Sequence, residues 1–349
     1  MPTRRSFLKC IAGLGAGLLP WLGWSKISEL VNLQVVQASI LTKDSSLKPE
    51  NSILVKDDSY LNQTAMDDIF ALTKSDIQGR RAGTVGAEKA AAYLMEQLEG
   101  LGLEPLGDLM EDNTRNYTNA FTVYPVVEEF FHGRLTFRPG NPQDLRTPCV
   151  NVIGGVMGTN RNESVILSAH FDHLGIFQGS LYPGANDNAS GVGCILDVMR
   201  RLLKEGVKPK RNVILAFWSA EEMGFVGSFS FLQKPTFPLQ GIQAVFNVDT
   251  IGNGPLRDFS IWASSDNKAV QAVQTAASAE KISIPLTSHD GYNSDQLYFN
   301  MDHIPAVTMM AKDWLYKNHT PADVPDFVNP EKIALANKIL YNAVQAIAF

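Results

Sequence analysis

Two polar side chains near the middle of the chain have the types and the spacing of a metal site. His170 and Asp172 follow an apolar run, Ser164–Leu167, that predicts a buried strand. Side chains two residues apart on a strand point to the same face of the sheet. One ring nitrogen of a histidine can then bind a metal ion while a nearby carboxylate orients the ring. By itself, such a pair is more often a plain hydrogen-bonded contact than a metal site.

Four more polar groups stand at or just beyond the carboxyl ends of predicted strands, which is the edge of an open α/β sheet where ligand sites form. Each has an ordinary structural explanation, such as a helix cap, an acidic helix start, a turn cap or a surface loop. The groups are Asp187 in the loop Gly184–Gly191, the pair Glu221 and Glu222 after Val213–Trp218, Asp249 after Ala244–Val248, and His319 with Asp323 in one loop.

Taken together, these groups favour a zinc site over separate structural roles. Two histidines, two aspartates and one glutamate make a mixed set of nitrogen and oxygen ligands, which suits zinc. A carboxylate shared by two ions would hold them about 3.5–4 Å apart, the spacing of two-metal hydrolases. In the acidic pair, one glutamate can bind metal while the other acts as a general base. Asp323 is expected to orient His319 as Asp172 orients His170.

The elements that must position these residues alternate between strand and helix after Val150. This alternation predicts an α/β fold with a mostly parallel central sheet flanked by helices on both faces. The predicted strands are Val150–Ile153, Val165–His170, Arg211–Ser219, Gln243–Asp249, Asp258–Ala263 and Ile304–Met310. The predicted helices are Ala65–Thr73, Ala87–Leu101, Ser190–Lys204, Glu222–Leu232, Asn267–Lys281 and Pro330–Ala348. Further strand-like runs, at Asn119–Val127 and Gly133–Arg138, indicate a hairpin or edge strands.

The N-terminus resembles a twin-arginine export signal. Residues Thr3–Lys9 hold two adjacent arginines ahead of Phe-Leu-Lys and a weakly hydrophobic stretch, Cys10–Trp24. That stretch is short and rich in glycine, which argues against a stable membrane-spanning helix. Val36-Gln37-Ala38 fits a cleavage site. We therefore expect a signal peptide over residues 1–38, export by the twin-arginine machinery, and a periplasmic or secreted mature protein without a membrane span.

Beyond the signal, we expect a linker or irregular arm over residues 39–64 and a single catalytic domain over residues 65–349. The arm mixes serine, lysine, aspartate and asparagine without clear periodicity. Asp108–Asn162 is the only place for an inserted module, and its length of about 55 residues is short for an independent domain.

Composition and charge exclude some classes of protein. With 45% hydrophobic and 19% charged residues, the chain of 349 residues is able to bury a sizeable core. The formal net charge is −6 and no dense cluster of lysine and arginine occurs, so nucleic acid is not an expected partner. Cys149 and Cys194 are too few for a disulfide framework. Cys194 lies in an apolar helical pattern typical of a buried thiol, although a bridge to Cys149 stays open in an oxidising compartment.

Five motifs follow one another along the chain, and their order resembles that of a known family. They are H-x-D from His170, N-D-N-A-S-G from Asn186, A-E-E-x-G from Ala220, N-x-D-x-x-G from Asn247 and H-T-x-x-D from His319. This order resembles the zinc aminopeptidases related to bacterial leucyl aminopeptidase, together with glutamate carboxypeptidases, transferrin-receptor ectodomains and glutaminyl cyclases. The resemblance runs from Val150 to the C-terminus, with a weaker match in Ala87–Leu101. It implies the zinc exopeptidase fold, which is phosphorylase/hydrolase-like.

The resemblance also implies a role for each site residue. It assigns one zinc ion to His170, Asp187 and Asp249, and a second to Asp187, Glu222 and His319, so that two Zn²⁺ ions are expected per chain. Glu221 would be the general base, and Asp172 would orient a ligand. No family role attaches to His173, so zinc content is expected to survive His173→Ala largely intact.

The segment Ser294–Asp295 also resembles a part of the family. Some aminopeptidases have a tyrosine directly after this Ser-Asp pair, where it helps to stabilise the oxyanion, but Gln296 occupies that position here. Tyr292 is near in sequence, and the residue that assists the oxyanion stays open.

These observations predict an exported zinc-dependent aminopeptidase that hydrolyses N-terminal residues from peptides with a metal-bridging water and Glu221 as general base. Three alternatives stay open: a glutaminyl cyclase-like aminoacyltransferase, a carboxypeptidase of the same superfamily, and an inactive binding protein on this fold. The last is disfavoured because every ligand position is filled. Peptides are the expected substrates.

Overall fold

The computed structural model of the chain describes residues 58–206, 208–287 and 292–349. The predicted signal peptide, residues 1–38, and most of the predicted arm lie outside these residues. Within the arm, Asp58–Asn62 forms a short helix, so this part is helical rather than irregular. Among the described residues, no helix combines the length and the apolar character needed to cross a membrane.

Strands occur at twelve places in the described part of the chain. They are β1 (Glu104–Pro105), β2 (Thr118–Val123), β3 (Val126–Phe131), β4 (Arg134–Pro139), β5 (Thr147–Val156), β6 (Asn160–His170), β7 (Gly175–Phe177), β8 (Ser180–Tyr182), β9 (Arg211–Trp218), β10 (Ile242–Val248), β11 (Phe259–Trp262) and β12 (Ala306–Ala311). Eight of them form the central sheet, in the order β1-β5-β9-β6-β10-β12-β11 with β2 also paired to β5. The four strands β9, β6, β10 and β12 run parallel, and antiparallel strands extend both edges. Two separate hairpins are formed by β3 with β4 and by β7 with β8.

Helices cover both faces of this sheet, which confirms the predicted fold class. They are α1 (Asp58–Asn62), α2 (Ala65–Leu72), α3 (Val85–Gly100), α4 (Ser190–Glu205), α5 (Val226–Gln233), α6 (Lys268–Ala279), α7 (Gln296–Met301) and α8 (Pro330–Ala348). Successive side chains of a strand point to opposite faces. On β6, Val165 and Leu167 pack into the larger core cluster with α2, α3, α4, α6 and α8. Ile166, between them, packs into a second cluster with α5 and α7.

The parallel strands bring their carboxyl ends to one edge of the sheet. β6 ends at His170, β9 ends at Trp218 and β10 ends at Val248. Because β9, β6 and β10 are neighbours, the residues that follow each strand emerge side by side. A tight turn, Ala185–Ala189, enters α4 at the same edge.

Most elements predicted after Val150 occur within a few residues of their expected bounds, but the helix expected over Glu222–Leu232 was placed too early. It begins at Val226, because Gly224 and Phe225 have positive φ angles of 101° and 59° and close a turn instead. The backbone N–H groups of both residues donate to the Glu221 carbonyl at 2.8 Å. The acidic pair therefore lies in a turn and not in the first turn of a helix.

The run predicted as one strand over Asn119–Val127 is divided into two. β2 ends at Val123 and pairs with β5, whereas β3 begins at Val126 and pairs only with β4. Pro125 lies at the break, where its lack of a backbone N–H and its fixed φ angle interrupt strand pairing. The β3–β4 hairpin is thus separate from the central sheet.

The two cysteines of the described residues are both buried and free. This removes the open alternative of a Cys149–Cys194 bridge. Burial raises the pKa of the Cys149 thiol to about 12, with a further contribution from the nearby Asp172 carboxylate. A thiol with so high a pKa carries little thiolate at neutral pH and is a poor nucleophile.

Candidate metal centre

The imidazole of His170 lies within reach of three carboxylates. Its Nε2 atom is 3.3 Å from Asp187 Oδ1, 3.4 Å from Asp249 Oδ1 and 4.0 Å from Glu221 Oε2. These side chains come from the turn before α4 and from the ends of β10 and β9. All four are buried, so water is largely excluded between them.

A second imidazole faces the other side of Asp187. His319 Nε2 is 3.2 Å from Asp187 Oδ2 and 2.9 Å from Glu222 Oε2. Asp187 therefore presents one carboxylate oxygen to His170 and the other to His319. A carboxylate in this position can be shared between two cation sites.

The donor chemistry of the site fits zinc. Two groups of side chains each offer ligand atoms within 4.8 Å of one another, and both consist of imidazole nitrogen and carboxylate oxygen, which zinc accepts as ligands. Several buried carboxylates at such distances repel one another, and a cation between them offsets that repulsion. Four of the five predicted ligands belong to these groups, and the fifth, His319, contacts Asp187 and Glu222 directly. The two groups are His170 with Glu221 and Asp249, and His173 with Asp187 and Glu222.

Asp172 contacts both His170 and Glu221. His170 Nδ1 is 3.7 Å from Asp172 Oδ1, but it is nearer, at 3.2 Å, to the Asp172 carbonyl oxygen. Asp172 Oδ1 also accepts the backbone N–H of Glu221 at 3.1 Å. Because Nδ1 faces acceptors, it carries the hydrogen of the neutral ring, and the Nε2 lone pair of that neutral ring is the one that faces Asp187 and Asp249. Asp172 thus lies where it was predicted, although its backbone carbonyl is the nearer acceptor.

Asp323 does not orient His319, contrary to the prediction from the sequence. Its carboxylate accepts the backbone N–H groups of Asn186 at 2.7 Å and of Asp187 at 2.9 Å. His319 Nδ1 instead faces the carbonyl oxygen of Leu135, at 2.7 Å, on β4. Asp323 therefore holds the turn that carries Asp187, whereas Leu135, 184 positions before His319 in the chain, orients the His319 ring.

A buried polar network supports Asp249. Ser294 Oγ donates to Asp249 Oδ2 at 2.7 Å, and Asn247 Nδ2 donates to Ser294 Oγ at 2.9 Å. Asn247 is held in turn by Ser168, whose hydroxyl donates to its Oδ1 at 2.9 Å. The Ser294–Asp295 segment, singled out in the sequence, therefore fixes the orientation of a candidate ligand.

In the described part of the chain, the side-chain amide of Gln296 forms hydrogen bonds with neighbouring residues and not with the candidate ligands. Its Oε1 accepts from Thr308 at 2.7 Å and its Nε2 donates to Asn293 at 2.8 Å. Tyr292 is 38% exposed and packs edge-on against Trp314, with ring centroids 4.9 Å apart. No hydrogen bond from Tyr292 to a carboxylate of the site is present among the described residues.

Interactions within the site shift the pKa values of its groups in opposite directions. Burial would raise the pKa of Asp187, but hydrogen bonds from His170 and His319 outweigh it and hold this pKa well below its usual range. Burial would likewise raise the pKa of Glu222, yet the charge of His319 lowers it to about 2. Burial and Asp249 raise the pKa of Glu221 well above its usual value, against the opposing charge of His170. Of the two adjacent glutamates, Glu222 therefore favours the ionised form that a metal ligand needs, whereas Glu221 favours the protonated form.

Arg80 is a fully buried cation behind the site that the sequence analysis missed. Its guanidinium donates to the carbonyl oxygens of Phe171, Pro183 and Gly184 at 2.6–2.8 Å. Burial lowers its pKa to about 10, while Asp323 and other nearby carboxylates oppose that shift. Because its bonds go to carbonyls, its charge is free to offset the carboxylates of the site.

His173 also contacts the site, although the sequence analysis gave it no role. Its Nδ1 atom is 2.7 Å from Glu222 Oε1 and 3.9 Å from Asp187 Oδ2, and its side chain is fully buried. The shorter separation is that of a hydrogen bond, in which Nδ1–H donates to Glu222 and leaves Glu222 Oε2 facing His319. Its position in the sequence could have indicated this contact, because His173 follows the end of β6 at the edge of the sheet where the candidate ligands lie.

Comparison with known proteins identifies the family. Residues 151–344 match peptidase family M28. The chain belongs to peptidase family M28. This match confirms the family resemblance that was inferred from the order of the five motifs.

Relatives of this M28 chain differ in name and are much longer. An aminopeptidase of Pseudomonas aeruginosa strain UCBPP-PA14 is 31% identical over 138 residues, which cover 39% of this chain and 24% of the relative. A probable glutamate carboxypeptidase of Arthroderma benhamiae is 29% identical over 157 residues, which cover 44% of this chain and 21% of the relative. The chain thus spans less than a quarter of the length of each.

Solved structures share the M28 fold over most of their length. A zinc aminopeptidase from Bacillus subtilis superposes with a TM-score of 0.64 at 18% identity, covering 82% of this chain and 94% of that one. A glutaminyl cyclase from an Acidobacteriales bacterium superposes with a TM-score of 0.61 at 16% identity, covering 87% and 99%. At these identities the likeness concerns the fold.

His173→Ala is expected to weaken zinc binding, in contrast to the expectation from the sequence. Loss of the hydrogen bond to Glu222 leaves this carboxylate free to turn, and losses of such outer contacts typically cost about 10–100-fold in metal affinity. Zinc content after dialysis against graded chelator measures the effect. His173→Asn, whose amide can replace Nδ1–H, should retain more zinc. The exposed His303→Ala is the control, and equal zinc retention in His173→Ala and His303→Ala would refute the assignment.

Zinc binding is expected to release protons even near pH 8. Burial would lower the pKa of His319, but Glu222 and Asp187 outweigh it and raise this pKa to about 10. Glu221 and Asp249 likewise raise the pKa of His170 against the effect of burial. Both imidazoles therefore favour the doubly protonated form in the metal-free protein, and a metal ion must displace the proton at Nε2, so affinity rises with pH. Calorimetry in buffers of different ionisation enthalpy should give about one proton per ion; release near zero would contradict these pKa directions.

Proposed function

We propose that this M28 chain is a zinc-dependent aminopeptidase that hydrolyses N-terminal residues from peptides. The observation that carries the proposal is the position of Asp187, whose Oδ1 faces His170 and whose Oδ2 faces His319. A carboxylate so placed fits a bridge between two zinc ions. Asp249 would complete the ligand set on the His170 side, and Glu222 would complete it on the His319 side.

Each residue beside these ligands has a part in the proposed reaction. Bound zinc would supply an activated water and a Lewis acid for the scissile carbonyl. Glu221 would accept a proton from the attacking water and later donate it to the leaving amine, so that the C–N bond breaks after the C–O bond has formed. Burial and Asp249 raise the pKa of Glu221, and the positive charge of bound zinc would lower it again, so that the base is ionised when the water attacks. Asp172 would position this base through the Glu221 backbone N–H.

Two other reactions must be separated from this one, because a glutaminyl cyclase shares the fold and a probable glutamate carboxypeptidase is a relative. A cyclase attacks with the substrate's own amine, so ammonia leaves an N-terminal glutamine and no water enters the product. A carboxypeptidase needs a free C-terminal carboxylate and removes residues from that end. The three reactions thus differ in product mass and in which blocked terminus stops them.

A peptide panel with zinc-loaded protein tests the proposal. One sequence is supplied with both termini free, with the amine acetylated, with the carboxylate amidated, and with N-terminal glutamine, and the product masses are measured. We expect stepwise loss of N-terminal residues from the free and amidated peptides and no cleavage of the acetylated peptide. Loss of ammonia alone, C-terminal trimming, or no product from any peptide would each reject the aminopeptidase.

Variants of the two adjacent glutamates serve as matched controls in this assay. Glu221→Gln should retain zinc and the fold but lose about 10²–10⁴-fold in turnover, the usual contribution of a general base. Glu222→Gln should lose zinc as well as turnover, because its carboxylate is a proposed ligand. Near-normal turnover by Glu221→Gln at full zinc content would remove this residue from the base role.

We also propose that the chain is exported by the twin-arginine machinery. The support is the sequence Thr3–Lys9, with its paired arginines ahead of a weakly hydrophobic stretch. A fusion of residues 1–38 to a reporter that must fold before export should appear outside the cytoplasm. The same fusion with Arg4→Lys and Arg5→Lys should remain inside. Equal export of both fusions would exclude the twin-arginine route.

A further inference from the structure

The β3–β4 hairpin touches the candidate metal centre from outside the part of the chain that matches the family. It spans Val126–Pro139, whereas the match begins at residue 151. The backbone of Leu135 on β4 contacts His319 twice. Its N–H donates to the His319 carbonyl at 3.3 Å, and its carbonyl oxygen faces Nδ1 of the His319 ring at 2.7 Å. The hairpin is thus the direct support of one candidate ligand.

The contact with Leu135 decides which nitrogen of His319 carries the proton. A carbonyl oxygen only accepts hydrogen bonds, so the His319 nitrogen that faces it must be the donor. Nδ1 therefore carries the hydrogen in the neutral ring, and Nε2 keeps its lone pair toward Asp187 and Glu222. That is the tautomer a metal ligand needs at Nε2.

The neighbouring residue of the hairpin reaches the shared carboxylate through one intermediate. Arg134 donates from its guanidinium to Asn318 Oδ1 and, from Nε, to the Asn318 carbonyl at 3.4 Å. Asn318 Nδ2 donates to Asp187 Oδ2 at 2.5 Å. An amide turned by 180° would present its oxygen to Asp187 and repel it. The bond from Arg134 to Oδ1 fixes the amide with its NH₂ group toward the carboxylate.

The hairpin is held in place without Arg134. Leu135 and Phe137 pack with Leu174, Tyr182 and Phe177 in a small apolar cluster. A salt bridge between Arg81 and Glu128 also ties β3 to the segment before α3. Removal of the Arg134 guanidinium therefore leaves these two anchors of the hairpin in place.

We propose that Arg134 is a positioning residue for the second zinc subsite, defined as Asp187 Oδ2, Glu222 and His319, and that it acts through Asn318. The proposal rests on the proposed zinc function. If the proposal is right, loss of Arg134 weakens the binding of the two zinc ions unequally, because different elements hold the other ligands of the first subsite. Asp249 is oriented by Ser294, and His170 by Asp172.

The test measures the affinity of each zinc equivalent by competition with graded chelator, in the full chain. Arg134→Met removes the donors and keeps the aliphatic stem, and Arg138→Met is the matched control on the same strand. Arg138 is 56% exposed and pairs only with Glu129, at 3.3 Å, among the ion pairs of the described residues. We expect Arg134→Met to weaken one zinc equivalent about 10–100-fold and the other less, since Asp187 is shared, and Arg138→Met to change neither.

A double-mutant cycle shows whether Arg134 acts through Asn318. If it does, Arg134→Met combined with Asn318→Ala should bind zinc no more weakly than Asn318→Ala alone. Arg134→Lys, which keeps the charge but loses the planar fork, should recover part of the lost affinity. The melting temperatures of the metal-free proteins should agree for wild type and Arg134→Met, which a purely structural role would not allow.

Three outcomes overturn the proposal: equal weakening of both zinc equivalents, additive effects of Arg134→Met and Asn318→Ala, or wild-type affinities in Arg134→Met. They are distinguishable from failure of the proposed function. If the wild type binds two zinc ions and shortens peptides while Arg134→Met matches it, only the positioning role is wrong. If the wild type binds fewer than two zinc ions, the two-zinc centre fails, and the positioning role fails with it.

Discussion

The structure of the site depends on one buried carboxylate that is contacted from both sides. Asp187 is 3% exposed, with Oδ1 toward His170 and Oδ2 toward His319 and Asn318. Burial alone would favour its neutral form, and these donors reverse that preference. A bridging role requires that the carboxylate stay ionised and stay fixed, because rotation would remove one oxygen from each subsite. Much of the surrounding structure serves these two requirements.

Charge compensation behind the ligands comes from the interior of the protein. Arg80 is fully buried and directs its hydrogen bonds to backbone carbonyls, so it clamps the end of β6 and the loop before α4 while its charge offsets the carboxylates. Asp323 also holds this loop, by accepting two successive backbone N–H groups. These hydrogen bonds fix the backbone that carries the candidate ligands, which is what support by neighbouring groups achieves in metal sites.

The sequence predicted that the candidate ligands converge at one edge of the sheet, because they follow strands whose signals are local. Apolar runs of β-branched residues predict strands, parallel strands align their carboxyl ends, and polar residues after those ends converge. The same reasoning failed where local and long-range signals differ. The helix expected from Glu222 begins only at Val226, because left-handed backbone at Phe225 closes a turn first. Asp323 was expected to orient the His319 ring because it lies four residues away, but the carbonyl oxygen of Leu135 contacts Nδ1 of that ring instead.

The amino-acid sequence by itself determined the donor types, their order along the chain, and the α/β alternation that collects them at one edge of a sheet. Only the tertiary structure decided which oxygen of Asp187 faces which imidazole, that His173 contacts Glu222, and that a separate hairpin supports His319. The physical reason is the range of the interactions. Strand and helix periods repeat every two to four residues and are visible in the sequence, whereas these contacts join loops whose positions depend on packing of the whole domain.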